Sequence, residues 1–188
     1  FNRTMGVDAN LALSRNVQVS SFLAKTSTPG LVGRDKALYG RIAYRTPAWN
    51  LYYNYLDVQE NFNPEVGFVQ RRGVRVNKGH FSPTPRPGKA HIRLMEPMLV
   101  VTYITDQKNR MVSRTIHTMV GTTLDDGSFI NVVYQQNLDV LDTPFRIKPT
   151  IAIPVGTYNF YNVNLTYNTS PSKRFYERFT YSPQNFYG

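Results

Sequence analysis

Three carboxylates near the middle of the chain have the residue types and the spacing that acid–base chemistry could use. Asp57, Glu60 and Glu65 stand close together, in a segment that also contains Pro64 and Gly67. Many glycosidases hydrolyse their substrates with two such carboxyl groups, one acting as acid and the other as base or nucleophile. The spacing is specific to no such enzyme, so a glycan hydrolase is one hypothesis, and we predict no catalytic residue from it.

The same carboxylates are open to an electrostatic interpretation, because cations follow them directly. Arg71, Arg72, Arg75 and Lys78 come after Glu65. We predict that Glu65 pairs with these arginines and so holds a long loop in place. The arginine cluster could also bind phosphate, lipopolysaccharide or nucleic acid, since guanidinium forks match the geometry of oxyanions.

The histidines and the remaining motifs point to no metal site and no cofactor. His80, His91 and His117 do not share the spacing of metal ligands, and the sequence contains no cysteine. It also lacks a glycine-rich phosphate loop and the nucleophile elbow of serine hydrolases. We therefore interpret the three histidines as structural or surface residues.

The charge of the chain favours an anionic partner. Lys and Arg number 22 against 12 Asp and Glu, which gives a formal net charge of +10. Such a balance attracts anions through its electrostatic field. Nucleic-acid binding would combine arginines and exposed aromatic residues on one surface. Here the two residue types often alternate along the chain, which disfavours nucleic acid as the partner.

Alternating polarity predicts that β-strands position these residues. Leu38, Ile42 and Tyr44 would share one face of a strand, with Arg41 and Arg45 on the other. A period of two is the strand period, and the aromatic content of 13% also favours strands. We predict ten strands, at 5–13, 17–25, 37–45, 49–57, 72–82, 89–105, 110–123, 128–138, 158–168 and 173–181.

The predicted connections alternate between short and long. Residues 14–16 and 125–127 form short turns, whereas residues 58–71 and 139–157 form long loops. Outer-membrane β-barrels have short turns at one end and longer loops at the other. The sequence has no apolar run of about 18 residues that could form a transmembrane helix, but a transmembrane strand needs only about 9 to 11 residues.

A soluble antiparallel sandwich or barrel stays open as an alternative, with the apolar face as core and the polar face in water. The polar face favours a membrane barrel, because its residues suit a hydrated lumen. On it we place Tyr39, Arg41, Arg45, Asn50, Asn54, Asn131, Gln135, Asn162, Asn164 and Arg178. Aromatic residues near strand ends, namely Trp49, Tyr103, Tyr158 and Tyr181, would form interfacial girdles.

Three segments together resemble a bacterial family. They are YLDVQENFNPEVGFVQRRGVR at 55–75, YITDQKNR at 103–110 and LDTPFRIKPTIAIPVGTY at 141–158. Over nearly its whole length the chain resembles the β-barrel domain of unknown function that follows a family-9-like carbohydrate-binding module in outer-membrane proteins of Gram-negative bacteria. The run FNPEVGF at 62–68 is the most specific element of this resemblance.

The resemblance implies an all-β, antiparallel up-and-down transmembrane β-barrel in the outer membrane of a Gram-negative bacterium, with a link to glycan capture or uptake. It supplies no catalytic residue. In that family the barrel continues for several strands, and the carbohydrate-binding module precedes it. We therefore expect residues 1–188 to be one β-barrel domain fragment of a longer protein, without the upstream module and the further C-terminal strands.

We predict that the protein is a channel or membrane anchor that contacts outer-membrane lipid and is linked to glycans or lipopolysaccharide. The alternatives are a soluble all-β module that binds acidic polymers through its basic surface, and the glycan hydrolase. The predicted anion-selecting lumen residues are Arg41, Arg45, Arg114, Arg174 and Arg178.

One long loop carries the family marker. Its marker residues are Phe62, Asn63, Pro64, Glu65, Gly67, Phe68, Arg71, Arg72 and Arg75. Pro64 and Gly67 would shape its turn, because proline restricts φ and glycine permits positive φ. Phe62 and Phe68 would anchor the loop at the mouth of the barrel.

Overall fold

The computed structural model describes residues 1–65, 67–148 and 150–185. Val66 and Pro149, which belong to segments that carry the family resemblance, and residues 186–188 lie outside these ranges. No helix in the described ranges is long and apolar enough to cross a membrane. The strands are β1 (Arg3–Ala12), β2 (Val17–Ser27), β3 (Lys36–Arg45), β4 (Trp49–Val58), β5 (Val74–Pro83), β6 (Ile92–Asp106), β7 (Met111–Leu124), β8 (Phe129–Leu141), β9 (Phe145–Lys148), β10 (Ile151–Ile153), β11 (Gly156–Asn168) and β12 (Arg178–Tyr181).

Ten of these strands form one antiparallel sheet in which each strand lies beside the next of the ten along the chain. The order is β1-β2-β3-β4-β5-β6-β7-β8-β11-β12, and β9 and β10 form a separate hairpin in the connection between β8 and β11. The all-β, antiparallel prediction is confirmed at this level. β1 and β12 are the two edges of the sheet and do not pair with each other within the described residues, so the sheet is not closed into a barrel.

Most predicted strand ends lie within three residues of the observed ones, and three of the differences have a structural explanation. The strand predicted at 89–105 begins at Ile92, because two residues of positive φ turn the chain just before it. The strand predicted at 173–181 shrinks to Arg178–Tyr181. The loop predicted at 139–157 contains the short β9–β10 hairpin. All three differences lie in connections or at strand ends. There the geometry of the turn, rather than the alternation of polar and apolar residues, determines where the strand begins or ends.

The strand register gathers the predicted apolar residues on one face of the sheet. Leu11 lies opposite Val19, Val19 opposite Ile42, and Ile42 opposite Tyr53. Residues directly opposite each other in an antiparallel pair share a face, and we call this one the apolar face. The ten residues predicted for the polar face all lie on the other side, which we call the polar face.

Aromatic side chains contribute strongly to the apolar face. Trp49, Tyr103 and Tyr181 lie on it, and the ring of Trp49 is 5.7 Å from that of Phe81. Tyr158 does not, because it pairs with Asp139 in the register of the polar face. Tyr158 therefore does not belong to the predicted aromatic girdle. β11 begins at Gly156, and its pairing with β8 turns Tyr158 to the polar face.

The apolar face is uncovered, and the sheet has little buried core. Among the described residues the buried apolar side chains are Ala37, Ala43, Val58, Phe62, Val74 and Ile153. The chain exposes 12576 Å², whereas a compact monomer of 21.6 kDa exposes about 9,200 Å². On the apolar face Val7 is 67% exposed, Ile42 51% and Val132 41%. A soluble sandwich would need a second layer over this face, and the described chain supplies none.

The polar face is the less exposed of the two, although no second layer covers most of it. In β8 the apolar-face residues Ile130, Val132 and Tyr134 are exposed, whereas Asn131 and Val133 between them are half-buried. The same alternation runs along β11. In a single layer such a difference arises from curvature, because side chains on the inner side of a coiled sheet crowd one another. The polar face is therefore the concave one.

Candidate functional site on the polar face

The loop between β4 and β5, residues 59–73, folds over one end of the polar face. Phe62 is 6% exposed and packs with Ala37 and Val58, which both lie on that face. Phe68, the second predicted anchor, is 90% exposed. Of the two aromatic residues only Phe62 is buried, because the apolar surface of β3 and β4 accommodates it, whereas Phe68 lines the cavity beside it and stays largely in solvent.

Hydrogen bonds and a glycine fix where the loop leaves and rejoins the sheet. The backbone N–H of Gln59 donates to the carbonyl of Lys36 at 3.0 Å, and the Lys36 N–H donates to Oε1 of Gln59 at 3.0 Å. Gly73 closes the loop with φ at +68°, and a Cβ there would lie 3.1 Å from Cγ of Glu60. Glycine is favoured at this point because both the positive φ and the close approach disfavour a side chain.

Glu60 pairs with Arg34 from the neighbouring loop. Nε and Nη2 of Arg34 donate to Oε2 and Oε1 of Glu60 at 2.5 and 2.7 Å. This bidentate contact is the main cause that lowers the pKa of Glu60 and raises the pKa of Arg34. The ion pair joins residues 28–35 to residues 59–73, so the two long connections at this end form one unit.

The prediction that Glu65 holds the loop through the arginines is wrong. Glu65 is exposed and forms no salt bridge among the described residues. Asn63 takes the structural role instead: its N–H donates to Oγ1 of the buried Thr26 at 3.0 Å, and its Oδ1 accepts from Nη2 of Arg72 at 2.5 Å. The sequence indicated a charged pair, but the fold places Arg72 beside an amide.

Asp57 is also fully used in structural contacts. It accepts from Nε of Arg75 at 3.2 Å and from Nε2 of Gln107 at 2.7 Å. Asp57 and Arg75 lie opposite each other in the register of the apolar face, close to the ends of β4 and β5. Asp57 and Glu60 therefore lie in separate ion pairs, and Glu65 in solvent, so within the described residues the three carboxylates do not form a hydrogen-bonded acid–base pair.

A cavity of about 720 Å³ lies between part of the loop and the sheet beneath it. Its wall is mainly apolar, with Leu56, Val76 and Ile104 from the polar face of the sheet and Phe62 from the loop, and Arg71 is among its polar lining residues. This end of the polar face is therefore apolar and is covered by the loop.

The structure separates the five predicted anion-selecting arginines. Arg41, Arg45 and Arg178 lie on the polar face, and Nε of Arg178 donates to Oδ1 of Asn168 at 2.9 Å. Arg174 lies in the connection between β11 and β12, outside any strand. Arg114 pairs with Tyr103 in the register of the apolar face, so it does not share a surface with the others. Arg114 could not be assigned from sequence because its strand lacks a clear alternation.

The register of β3, β4 and β5 places Arg41 and Arg45 in a group of residues that the sequence did not predict. Adjacent positions on the polar face of β3, β4 and β5 form a block of three rows, which we call the β3–β5 grid. Its rows are Arg41, Asn54 and Lys78; Ala43, Tyr52 and His80; and Arg45, Asn50 and Ser82. The alternation in WNLYYNY indicated that Asn50, Tyr52 and Asn54 share a face, but only the pairing of β4 with β5 adds Lys78 and His80.

No group of three or more His, Asp or Glu side chains in the described part of the chain could hold a metal ion. The sequence matches no protein-family model, and neither a curated protein nor a solved structure matches it.

Proposed function

We propose that this chain forms part of the wall of a transmembrane β-barrel, a channel in the outer membrane of a Gram-negative bacterium. The observation that carries the proposal is the inverted amphipathicity of the sheet. The apolar face is exposed, whereas the polar face is partly buried, as on the inner side of a curved sheet. Water-soluble sheets bury the apolar face, and membrane barrels expose it to lipid and keep the polar face inside.

The edges of the sheet support the same proposal. β1 is ten residues long and exposed at every position, with one side unpaired among the described residues. A long unpaired edge is a site of aggregation unless other strands cover it, and barrel closure removes such edges. We propose that further strands pair with β1 and β12 and close the barrel, as in the outer-membrane family that the sequence resembles.

The loop at residues 59–73 gives the proposed channel a constriction. It lies on the concave side, is anchored by Phe62 and is tied to residues 28–35 through Glu60 and Arg34. A loop in this position would narrow the lumen at one end, and the fixed charges of the polar face would select among solutes. Glycans or lipopolysaccharide components are the solutes that the family resemblance suggests.

Purification of the full-length protein tests the membrane proposal. We expect the protein to require detergent, to migrate differently in SDS gels before and after heating, and to resist added protease once refolded into lipid vesicles. The heated portion of each sample is its own unfolded control. A protein that stays monomeric and folded in buffer without detergent would contradict the proposal and favour the soluble module that binds acidic polymers.

A further inference from the structure

Arg41, Tyr52 and His80 form a continuous stack across three strands of the β3–β5 grid. Cζ of Arg41 lies 4.4 Å from the centre of the Tyr52 ring. The rings of Tyr52 and His80 are 4.4 Å apart and tilted by only 5°. Two groups cannot occupy one ring face at these distances, so Arg41 and His80 take opposite faces of Tyr52. The stack holds the guanidinium in place by cation–π attraction and leaves its charge intact.

The cations of the grid have no anionic partner among the residues that the structure describes. Arg41, Arg45 and Lys78 form no salt bridge with any described residue. The polar faces of β3, β4 and β5 carry no carboxylate. Three positive charges are thus held together on a concave surface without neutralisation, an arrangement whose repulsion an anion would relieve.

Unsatisfied polar atoms lie between these cations. Oδ1 of Asn54, between Arg41 and Lys78, and Oδ1 of Asn50, between Arg45 and Ser82, are buried without a hydrogen-bond partner. Nδ1 of His80 is in the same condition. Buried polar atoms without partners are rare in proteins, and each calls for an explanation. Oδ1 of Asn131, outside the grid, shares this condition, so it is the combination of the three grid atoms with the unpaired cations that points to a ligand, toward which these side chains would reorient.

We infer that the β3–β5 grid is a binding site for the carboxylate of an acidic sugar. This inference deepens the proposed channel function and rests on it for the route by which the sugar arrives. A planar carboxylate matches the fork of Arg41, with Arg45 and Lys78 adding charge. Hydroxyl groups of the same ligand would donate hydrogen bonds to Oδ1 of Asn50 and Asn54. A simple inorganic anion without such hydroxyl groups would leave these two oxygens without a partner. The neighbouring positions Ser20 and Thr102, in the row of Arg41, extend the polar surface on both sides.

Calorimetric titration of the full-length protein in detergent micelles tests the site with trigalacturonate as probe. We expect trigalacturonate to bind and the neutral sugar maltotriose not to bind. Arg41→Gln should weaken binding about ten- to a hundredfold, since it removes a charge-assisted fork. Arg41→Lys, which keeps the charge but loses the fork, should be intermediate. Arg114→Gln is the matched control, because it removes the same charge from the opposite face and should leave the affinity unchanged.

The outcomes separate this inference from the channel proposal. Equal weakening by Arg41→Gln and Arg114→Gln would show an unspecific charge effect and overturn the site. Inorganic phosphate binding as tightly as trigalacturonate would overturn the assignment to a sugar acid. Vesicle insertion without trigalacturonate binding would overturn this inference and leave the channel intact. Specific binding by a protein that does not insert into vesicles would support the site and overturn the channel.

Discussion

At the scale of single residues, Asp126 shows how one carboxylate joins two connections. Its Oδ1 accepts from the N–H of Ser128 at 2.8 Å, and its Oδ2 accepts from the Ser128 hydroxyl and from Nζ of Lys173, each at 2.9 Å. The contact with Lys173 is the main cause that lowers the pKa of Asp126 from 3.8 to about 2. Lys173 belongs to the connection between β11 and β12, so the ion pair ties that connection to the turn between β7 and β8.

The lowered pKa of Asp126 gives a pH-dependent contribution to stability. Because the folded-state value is about 2 and the ordinary value is 3.8, the contribution is fully present above about pH 4 and is lost as the pH falls to about 2. We expect Asp126→Asn to lower the urea midpoint of the refolded protein at pH 7 and to leave it nearly unchanged at pH 2. Asp125→Asn, which keeps the contacts with Ser128 and Lys173, is the control. An equal difference at both pH values would contradict this account.

At the scale of elements, the loop at residues 59–73 is held by one aromatic side chain, and a second one in the same loop makes no comparable contact. Phe62 is buried against Ala37 and Val58, whereas Phe68 is 90% exposed. The amides of Gln59 and Asn61 donate to carbonyls in and beside β3. Their protection from hydrogen exchange therefore reports whether the loop is packed on the polar face.

Removing the Phe62 ring should release this loop. We expect Phe62→Ala to destabilise the packed loop by about 3 kcal/mol, the usual cost of deleting a buried phenylalanine ring. Hydrogen exchange should then accelerate at the amides of Gln59 and Asn61. Phe68→Ala removes the same atoms from an exposed position and should leave both exchange rates unchanged. Similar acceleration in the two variants would show that burial of Phe62 does not anchor the loop.

At the scale of the whole molecule, two consecutive residues of β8 face different surroundings. Val132 lies on the exposed apolar face, and Val133 lies on the concave polar face. In the proposed barrel the first contacts lipid and the second contacts the lumen. A charge is expensive in lipid but is hydrated in a wide lumen, and the sheet provides both positions within one strand.

The two valines give a matched test of orientation in the membrane. We expect Val132→Arg to destabilise the barrel in lipid vesicles by about 2–4 kcal/mol, the range for arginine near the bilayer midplane. Val133→Arg should cost much less, because its side chain reaches water. Urea titration of vesicle-refolded protein measures both values. A larger cost for Val133→Arg would reverse the assignment of the two faces.

The sequence by itself determined the strands and the composition of their faces. Alternation along β3, β4 and β11 is clear in the residue order, because a strand places successive side chains on opposite sides regardless of its neighbours. The ten residues predicted for the polar face lie there in the structure. The turn at residues 125–127 was also predicted, since Gly127 supplies the positive φ of 86° that it requires.

Only the tertiary structure decided which side chains meet. The pairing of β4 with β5 places Lys78 and His80 beside Asn54 and Tyr52, although the two strands are separated in sequence by a long loop. The partner of Glu60 is Arg34 rather than an arginine of its own segment, and Arg114 falls on the apolar face. Contacts of this kind depend on register, and register is set by the summed pairing of whole strands. Local residue types do not encode that sum.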